Sequence, residues 1–446
     1  MFAKSKITLP LLALPLLFGA ALSLHAQFFA LDPGVRGDPP GAGGPIDGIS
    51  DSERKFFEAG LVAFNEVQDV QGDDPGLGPR FNLDSCAGCH SQPAVGGSSP
   101  FTNPQVAVAT KAGATNVVPF FVRIDGPVRE ARFKFKPDGT RDGGVHALFT
   151  IAGRDDAPGC VLAQPDFATA AAQNNLVFRI PTPVFGAGLI QAIDEDTILA
   201  NKRSHPLRRA FFGIAGRENR NGNDGTITRF GWKAQNKSLL IFAGEAYNVE
   251  QGVTNELFPQ ERDETPGCLF NGTPEDQTHF DQTELTGVPS DTVKFAIFMR
   301  FLAPPTPTAE TPSISNGRRL FDQVGCTLCH TPSLTTGKSS SAALDQKPVK
   351  LFSDLLLHNM GPGLADNILQ GNARGDEFRT APLWGLGQRK FFLHDGRTTD
   401  LREAIMAHRS FGNLQFGPSE ANRVVETFDA LGGADTQDIF NFLRSL

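Results

Sequence analysis

Two copies of the pattern Cys-x-x-Cys-His, at Cys86-Ala87-Gly88-Cys89-His90 and Cys326-Thr327-Leu328-Cys329-His330, dictate much of what this chain can become. Two thiols three positions apart on one helical turn reach the two vinyl groups of a porphyrin, and the adjoining His then lies beneath the iron. A zinc site needs four suitably spaced ligands, and a thiol redox pair has no use for the His. Each motif also follows an amphipathic helical stretch. The pair therefore reads as attachment for two covalently bound haem c groups, with His90 and His330 as proximal iron ligands.

The compartment agrees with that reading. Lys4 and Lys6, an apolar run from Ile7 to Leu24 and a small residue at Ala26 have the layout of a secretory signal cleaved near Ala26, which makes the periplasm the expected location. Pro10 and Pro15 interrupt the run, which is near the minimum length for a spanning helix. No comparable run follows, so no membrane span is expected after cleavage. Removal leaves 39 basic against 49 acidic residues. That balance excludes the basic stripe of a nucleic-acid binder and suits a basic electron-donor protein. Cys160 and Cys268 remain outside the haem motifs. An oxidising compartment allows them to pair, and the sequence leaves open whether they meet.

Residues 27–50 are rich in Gly and Pro and read as an extended arm. A helix is expected over 51–66, with Ser52 as cap and Phe56, Gly60 and Phe64 on one face. Gln105–Val108 and Val117–Ile124 read as irregular chain with short strands. Helical patterning returns over Glu195–Lys202 and Asp291–Phe301. A short helix around Asn316–Phe321 delivers Cys326, Leu401–His408 reads as helix, and Thr436–Leu446 closes the chain with an amphipathic one. The expected fold is mainly α: two cytochrome-c-like haem domains, the first with a large irregular insertion containing short strands. Its units are a signal peptide (1–26), an N-terminal haem domain (27–302), a Pro-rich linker (303–313) and a C-terminal haem domain (314–446).

Function depends on the sixth position of each iron, since a filled one carries electrons and an open one admits an oxidant. The remaining histidines of the mature chain are His146, His205, His279, His358, His394 and His408, and Met360 supplies a thioether. The stretches Gly76–Asn82 (GLGPRFN), Arg229–Ala234 (RFGWKA), Asp354–Asp366 (DLLLHNMGPGLAD), Phe378–Gly385 (FRTAPLWG) and Leu393–Arg397 (LHDGR) resemble the bacterial di-haem oxidoreductase family, a relative of the di-haem cytochrome c peroxidases and of MauG. The resemblance runs from about Ser52 to Leu446. In the peroxidases an axial ligand of the C-terminal haem stands fourteen residues beyond the His of the His-Asp-Gly motif. Counted from His394, that position is His408, so the resemblance implies a bis-His haem there, with Met360 as the other candidate ligand. It also implies that Trp232 couples the two haems and that Glu250 is the distal acid–base, with Glu245 as the fallback. The peroxidases carry a Gln ten residues before that Glu, where this chain has Leu240.

The implied activity is peroxidase-like. A small cytochrome c or cupredoxin donates electrons to the C-terminal haem, and hydrogen peroxide or a similar oxidant accepts them at the N-terminal one. The rivals are a non-enzymatic di-haem carrier, with His146 or His205 on the first iron, and a MauG-like oxidase of a protein side chain. Asn219–Gly225 alternates oxygen side chains in the manner of a Ca2+ loop but has few carboxylates, which favours a polar turn. A calcium ion between the haem domains, as in the peroxidases, is the alternative.

Overall fold

The computed structural model describes residues 29–446, so the expected signal segment lies outside the described residues. The chain is mainly helical with short antiparallel strand pairs. Among the described residues no helix is long and apolar enough to cross a membrane. The helices that frame the site are α1 (Asp51–Asn65), α2 (Leu239–Ala246), α3 (Asp291–Phe301), α4 (Pro312–Gln323), α5 (Leu401–Met406) and α6 (Gly433–Ser445).

Helix α1 is capped by Ser50, two residues before the expected Ser52. The Ser50 hydroxyl accepts from the Glu53 N–H at 3.2 Å, and the Glu53 carboxylate accepts from the Ser50 N–H at 2.7 Å. This reciprocal pair needs an acidic or amide side chain three residues on. Ser50 has Glu53 there, whereas Ser52 has Lys55. Changing Ser50 to Ala should destabilise the protein by about 1 kcal/mol, read as a lower denaturant midpoint with unchanged slope; an unmoved midpoint would contradict the cap.

The buried stripe of α1 is Phe57, Gly60, Ala63 and Phe64, with Phe56 only half-buried. It meets α3 so closely that a Cβ on Gly60 would stand 2.4 Å from the Lys294 carbonyl oxygen. Phe57 and Phe64 then pack on Phe298 at 5.3 and 4.8 Å between ring centres. The second motif repeats the arrangement. A Cβ on Gly317 of α4 would stand 1.9 Å from the Asp438 carbonyl oxygen of α6. In both places an aromatic one turn after the glycine approaches the motif histidine: Phe64 lies 6.1 Å from the His90 ring and Phe321 lies 6.2 Å from the His330 ring. The glycines allow the helices to touch, and the touching helices set the histidines.

A three-stranded antiparallel sheet, β1 (Glu130–Phe133), β2 (Val145–His146) and β3 (Leu176–Arg179), runs in the order β2-β1-β3. Gln105–Val108 is one helical turn rather than a strand. The Asn103 side chain accepts from the Gln105 N–H at 2.9 Å, and Pro104 pre-sets the helical φ, so local turn chemistry outweighs β-branched composition. Cys160 and Cys268 form a disulfide in a core with Phe81, Phe149 and Ala131. A second strand pair, β4 (Leu357–Asn359) and β5 (Glu377–Arg379), carries His358 and Arg379.

The largest core cluster unites Phe57, Phe64 and Phe298 with Leu344, Leu355 and Trp384, drawing residues from both sides of the Pro-rich segment 303–313. That segment is itself held: the Ala303 N–H donates to Gly44 and the Thr308 N–H to Ser445. The N-terminal arm also docks, with Asp32 bound by Arg444 of α6 at 2.6 and 2.7 Å.

Candidate haem sites

Cys86–Cys89 form a single helical turn that ends at His90, whose N–H donates to the Cys86 carbonyl at 3.0 Å. They open on a cavity of about 440 Å³ that Glu250, Glu245, Trp232 and Met299 also line. His90 Nδ1 is bound to the Gly97 carbonyl at 3.0 Å, which leaves Nε2 as the free nitrogen. A backbone carbonyl on the other ring nitrogen is the usual support for a metal-ligating His.

Glu250 sits on a π-helical turn, Tyr247–Gln251, that continues α2. Such turns are rare and recur at functional sites. Asn82 holds it twice: the Asn82 N–H donates to the Glu250 carbonyl at 2.7 Å, and Asn82 Nδ2 donates to Glu250 Oε2 at 2.9 Å. Burial, and then the charge of Glu130, push the Glu250 carboxyl well above its ordinary value. Burial opposes ionisation at Glu130 too, but Arg132 and Arg179 hold it below the ordinary value. Glu245 lines the same cavity and accepts from Asn236 Nδ2. Leu240 is 39% exposed and takes no part. A different glutamine, Gln235, is on the wall with its side-chain carbonyl buried and unsatisfied. Glu130, Arg132, Asn82 and Gln235 were not singled out from the sequence. The Glu-Ala-Arg alternation at 130–132 was the available signal, since it puts both charges on one face of a strand.

The second motif opens on a cavity of about 220 Å³ lined also by His408, Met360, His394 and Trp232. His330 Nδ1 is bound to the Phe352 carbonyl at 3.0 Å, and His408 Nδ1 to the Ala404 carbonyl at 2.8 Å. His408 thus repeats the pattern of the two motif histidines. Burial lowers His330 to about 4 and lowers His408 as well, so both imidazoles are neutral. His358 is committed elsewhere, with one nitrogen on Asp354 at 3.0 Å and the other on Glu420 at 2.8 Å. His394 stacks on Phe378 at 4.3 Å. Met360 packs with Trp232, Phe378 and Leu364.

Trp232 is on the wall of both cavities, with Nε1 donating to the Ile180 carbonyl at 2.9 Å and its ring 6.4 Å from His394. Its neighbour Lys233 is fully buried, paired with Asp366 at 3.1 Å and seated 4.0 Å from the Phe378 ring centre. The core between the cavities is therefore held by ions as well as rings.

The wall chemistry fits a porphyrin. Arg379 donates only to the Gly231 and Thr380 carbonyls, and burial without any acidic partner lowers both Arg379 and Arg389 to about 10. Buried guanidiniums lacking a carboxylate are costly, and the propionates of a haem would supply the missing anions. A zinc reading fails on the donor set: among the described residues no group of three or more His, Cys, Asp or Glu is placed to hold a metal. Asn219–Gly225, read as a polar turn with a calcium loop as the alternative, is a hairpin turn whose Asp224 carboxylate is taken by Lys237 and Thr226. His146 pairs with Asp142 at 2.8 Å and stacks on Phe133, His205 starts a separate helix, and neither lines the first cavity.

The chain belongs to the di-haem oxidoreductase family: the model described as "Di-haem oxidoreductase, putative peroxidase" matches residues 137–446. Two haems are accordingly its cofactors. Among solved structures it is similar to the dihaem peroxidase BthA of Burkholderia thailandensis, at 16% identity over 49% of this chain and 65% of that one, with a TM-score of 0.31. It is also similar to a MauG-like protein associated with microbial copper homeostasis, at 15% identity over 57% of this chain and 90% of that one, with a TM-score of 0.32. The match thus spans about two thirds of the length of BthA. Comparison with curated proteins finds no match.

Proposed function

We propose that the chain is a periplasmic di-haem c-type oxidoreductase of peroxidase-like activity. The haems are held covalently, one through Cys86 and Cys89 and one through Cys326 and Cys329, in two cytochrome-c-like domains joined at 303–313. The observation that carries the reading is the place of Trp232 on the walls of both cavities, the only indole so shared. When bound, haem supplies an iron that takes up the oxidant on one side and electrons on the other.

The chain's own residues then divide the work. His330 and His408 present free Nε2 atoms within the second cavity, so they are the residues that would hold the C-terminal haem, which would supply a site for electrons from a small cytochrome or cupredoxin. Trp232 bridges toward the first cavity. Among the described residues His90 is the sole histidine lining that cavity, so it is the imidazole that would hold a haem there. Glu250 stands there as a buried acid able to give its Oε proton to the departing oxygen of a peroxide. The carrier reading needs His146 or His205 on the first iron, and both are elsewhere.

Purified mature protein should show the alkaline pyridine spectrum of thioether-linked haem and the added mass of two porphyrins. Cyanide should bind one haem, and hydrogen peroxide should be turned over with a reduced small cytochrome. Two low-spin irons that refuse cyanide would defeat the enzymatic reading. His408→Met should raise the potential of the C-terminal haem by on the order of a hundred millivolts, because Met/His ligation favours the reduced iron and axial ligation spans about 0.8 V. An unmoved potential would remove His408 from the iron.

A further inference from the structure

Glu250 does not face the first cavity alone. Glu130 and Arg132, two positions apart on β1, share one face of the strand and line the same cavity. Ala131 between them points the other way, into the core around Phe81 and Phe149. Arg132 Nε donates to Glu130 Oε1 at 2.6 Å, and the Glu130 and Glu250 carboxyls face each other on the same cavity wall. A hydrogen bond between them requires a proton on one of the two, because two adjacent carboxylates repel and lack a donor. The other charged groups facing the pair are Arg179, Arg262 and Glu245. Arg132 is bonded to Glu130, whereas Glu250 takes the neutral amide of Asn82. That asymmetry decides which carboxyl holds the charge.

We propose that Glu130 is the positioning residue of the proton-transfer step: it and Glu250 share one proton on the cavity wall, Arg132 keeps the negative charge on Glu130, and Glu250 is thereby held as the acid. The proposal rests on the peroxidase-like reading of the cavity. Reduction of hydrogen peroxide to two waters takes two electrons from the reduced donor protein and two protons. Glu130 draws each of the two protons from the hydronium pool of the solvent and passes it along the shared hydrogen bond to Glu250. Glu250 gives one to the departing oxygen as the O–O bond breaks and one to the oxygen left behind, so that each oxygen leaves as water and Glu250 returns to its acid form.

The test compares the holoprotein with Glu130→Gln, Glu130→Asp and Glu250→Gln. Wild type should show an infrared carboxylic-acid band, sensitive to deuterium exchange, that persists above pH 7 and is lost in Glu250→Gln. In Glu130→Gln the repulsion is gone and Arg132 is free to pair with Glu250. That band should then vanish at neutral pH, and the pH profile of kcat/KM for peroxide should move to the acid side. The rate at pH 7 should fall by about 10²-fold, the lower end of what general acid catalysis contributes. Glu130→Asp should restore both. An unchanged band and profile in Glu130→Gln overturns the proposal, and a wild type with turnover but no such band overturns it even where variants fail to fold. A wild type with the band but no peroxide turnover at any pH overturns the peroxidase reading, and the proton-transfer role with it.

Discussion

Glu250→Gln is expected to lower kcat/KM for peroxide reduction by about 10²–10⁴-fold, the usual contribution of a positioned general acid–base. The substitution is nearly isosteric, and a Gln carbonyl still accepts from Asn82 Nδ2, so the π-helical turn should keep its shape. What it loses is the proton. Burial makes that proton valuable, because a carboxyl held well above its ordinary value stays protonated at neutral pH and can still give the proton away as negative charge develops beside it. Haem content and electron uptake at the C-terminal site should be unchanged, since Glu250 does not line the second cavity. Stopped-flow reduction of peroxide by pre-reduced protein separates the two steps. Activity within about threefold of wild type would move the role to Glu245, which shares the cavity wall.

Replacing Cys160 and Cys268 together by Ala is expected to destabilise the protein by about 4–5 kcal/mol, from the chain-entropy value for a closed loop of this size. The sequence separation is 108 residues. The loss corresponds to roughly a thousandfold in the folded-to-unfolded ratio. It should fall first on the N-terminal site. The disulfide shares its core with Phe81, Leu83 and Ala131, and those residues neighbour Asn82 and Glu130 on the cavity wall. Denaturant titration of the double variant, and of wild type under reductant, should show the early transition at the first haem. A change below about 1 kcal/mol would show that packing alone holds this module.

The residues whose meaning is local were readable in the chain. Cys86, Cys89, His90 and their counterparts at 326–330 lie within one turn, so spacing alone proposes their role. The cap was misplaced on Ser52, although choosing Ser50 needs only the residue three places on. The buried face of α1 was misjudged by one position, Phe57 in place of Phe56, because periodicity gives the spacing of a stripe but not its phase. Composition reads the Pro-rich segment 303–313 as a stiff, extended domain boundary. It is tied to Gly44 and Ser445, and a core cluster passes across it.

What one strand of letters determined here is the helical framework and the two motifs on which the proposed haem attachment rests, since each depends on contacts within a few residues. His408 and Trp232 needed likeness to a family to be noticed and the folded chain to be placed. Only tertiary structure decided that Asn82, Glu130 and Arg132 surround Glu250, or that Cys160 meets Cys268. These groups lie up to 168 positions apart, and the free energy that joins them comes from burial and charge pairing in a cavity that does not exist until the chain has folded around it.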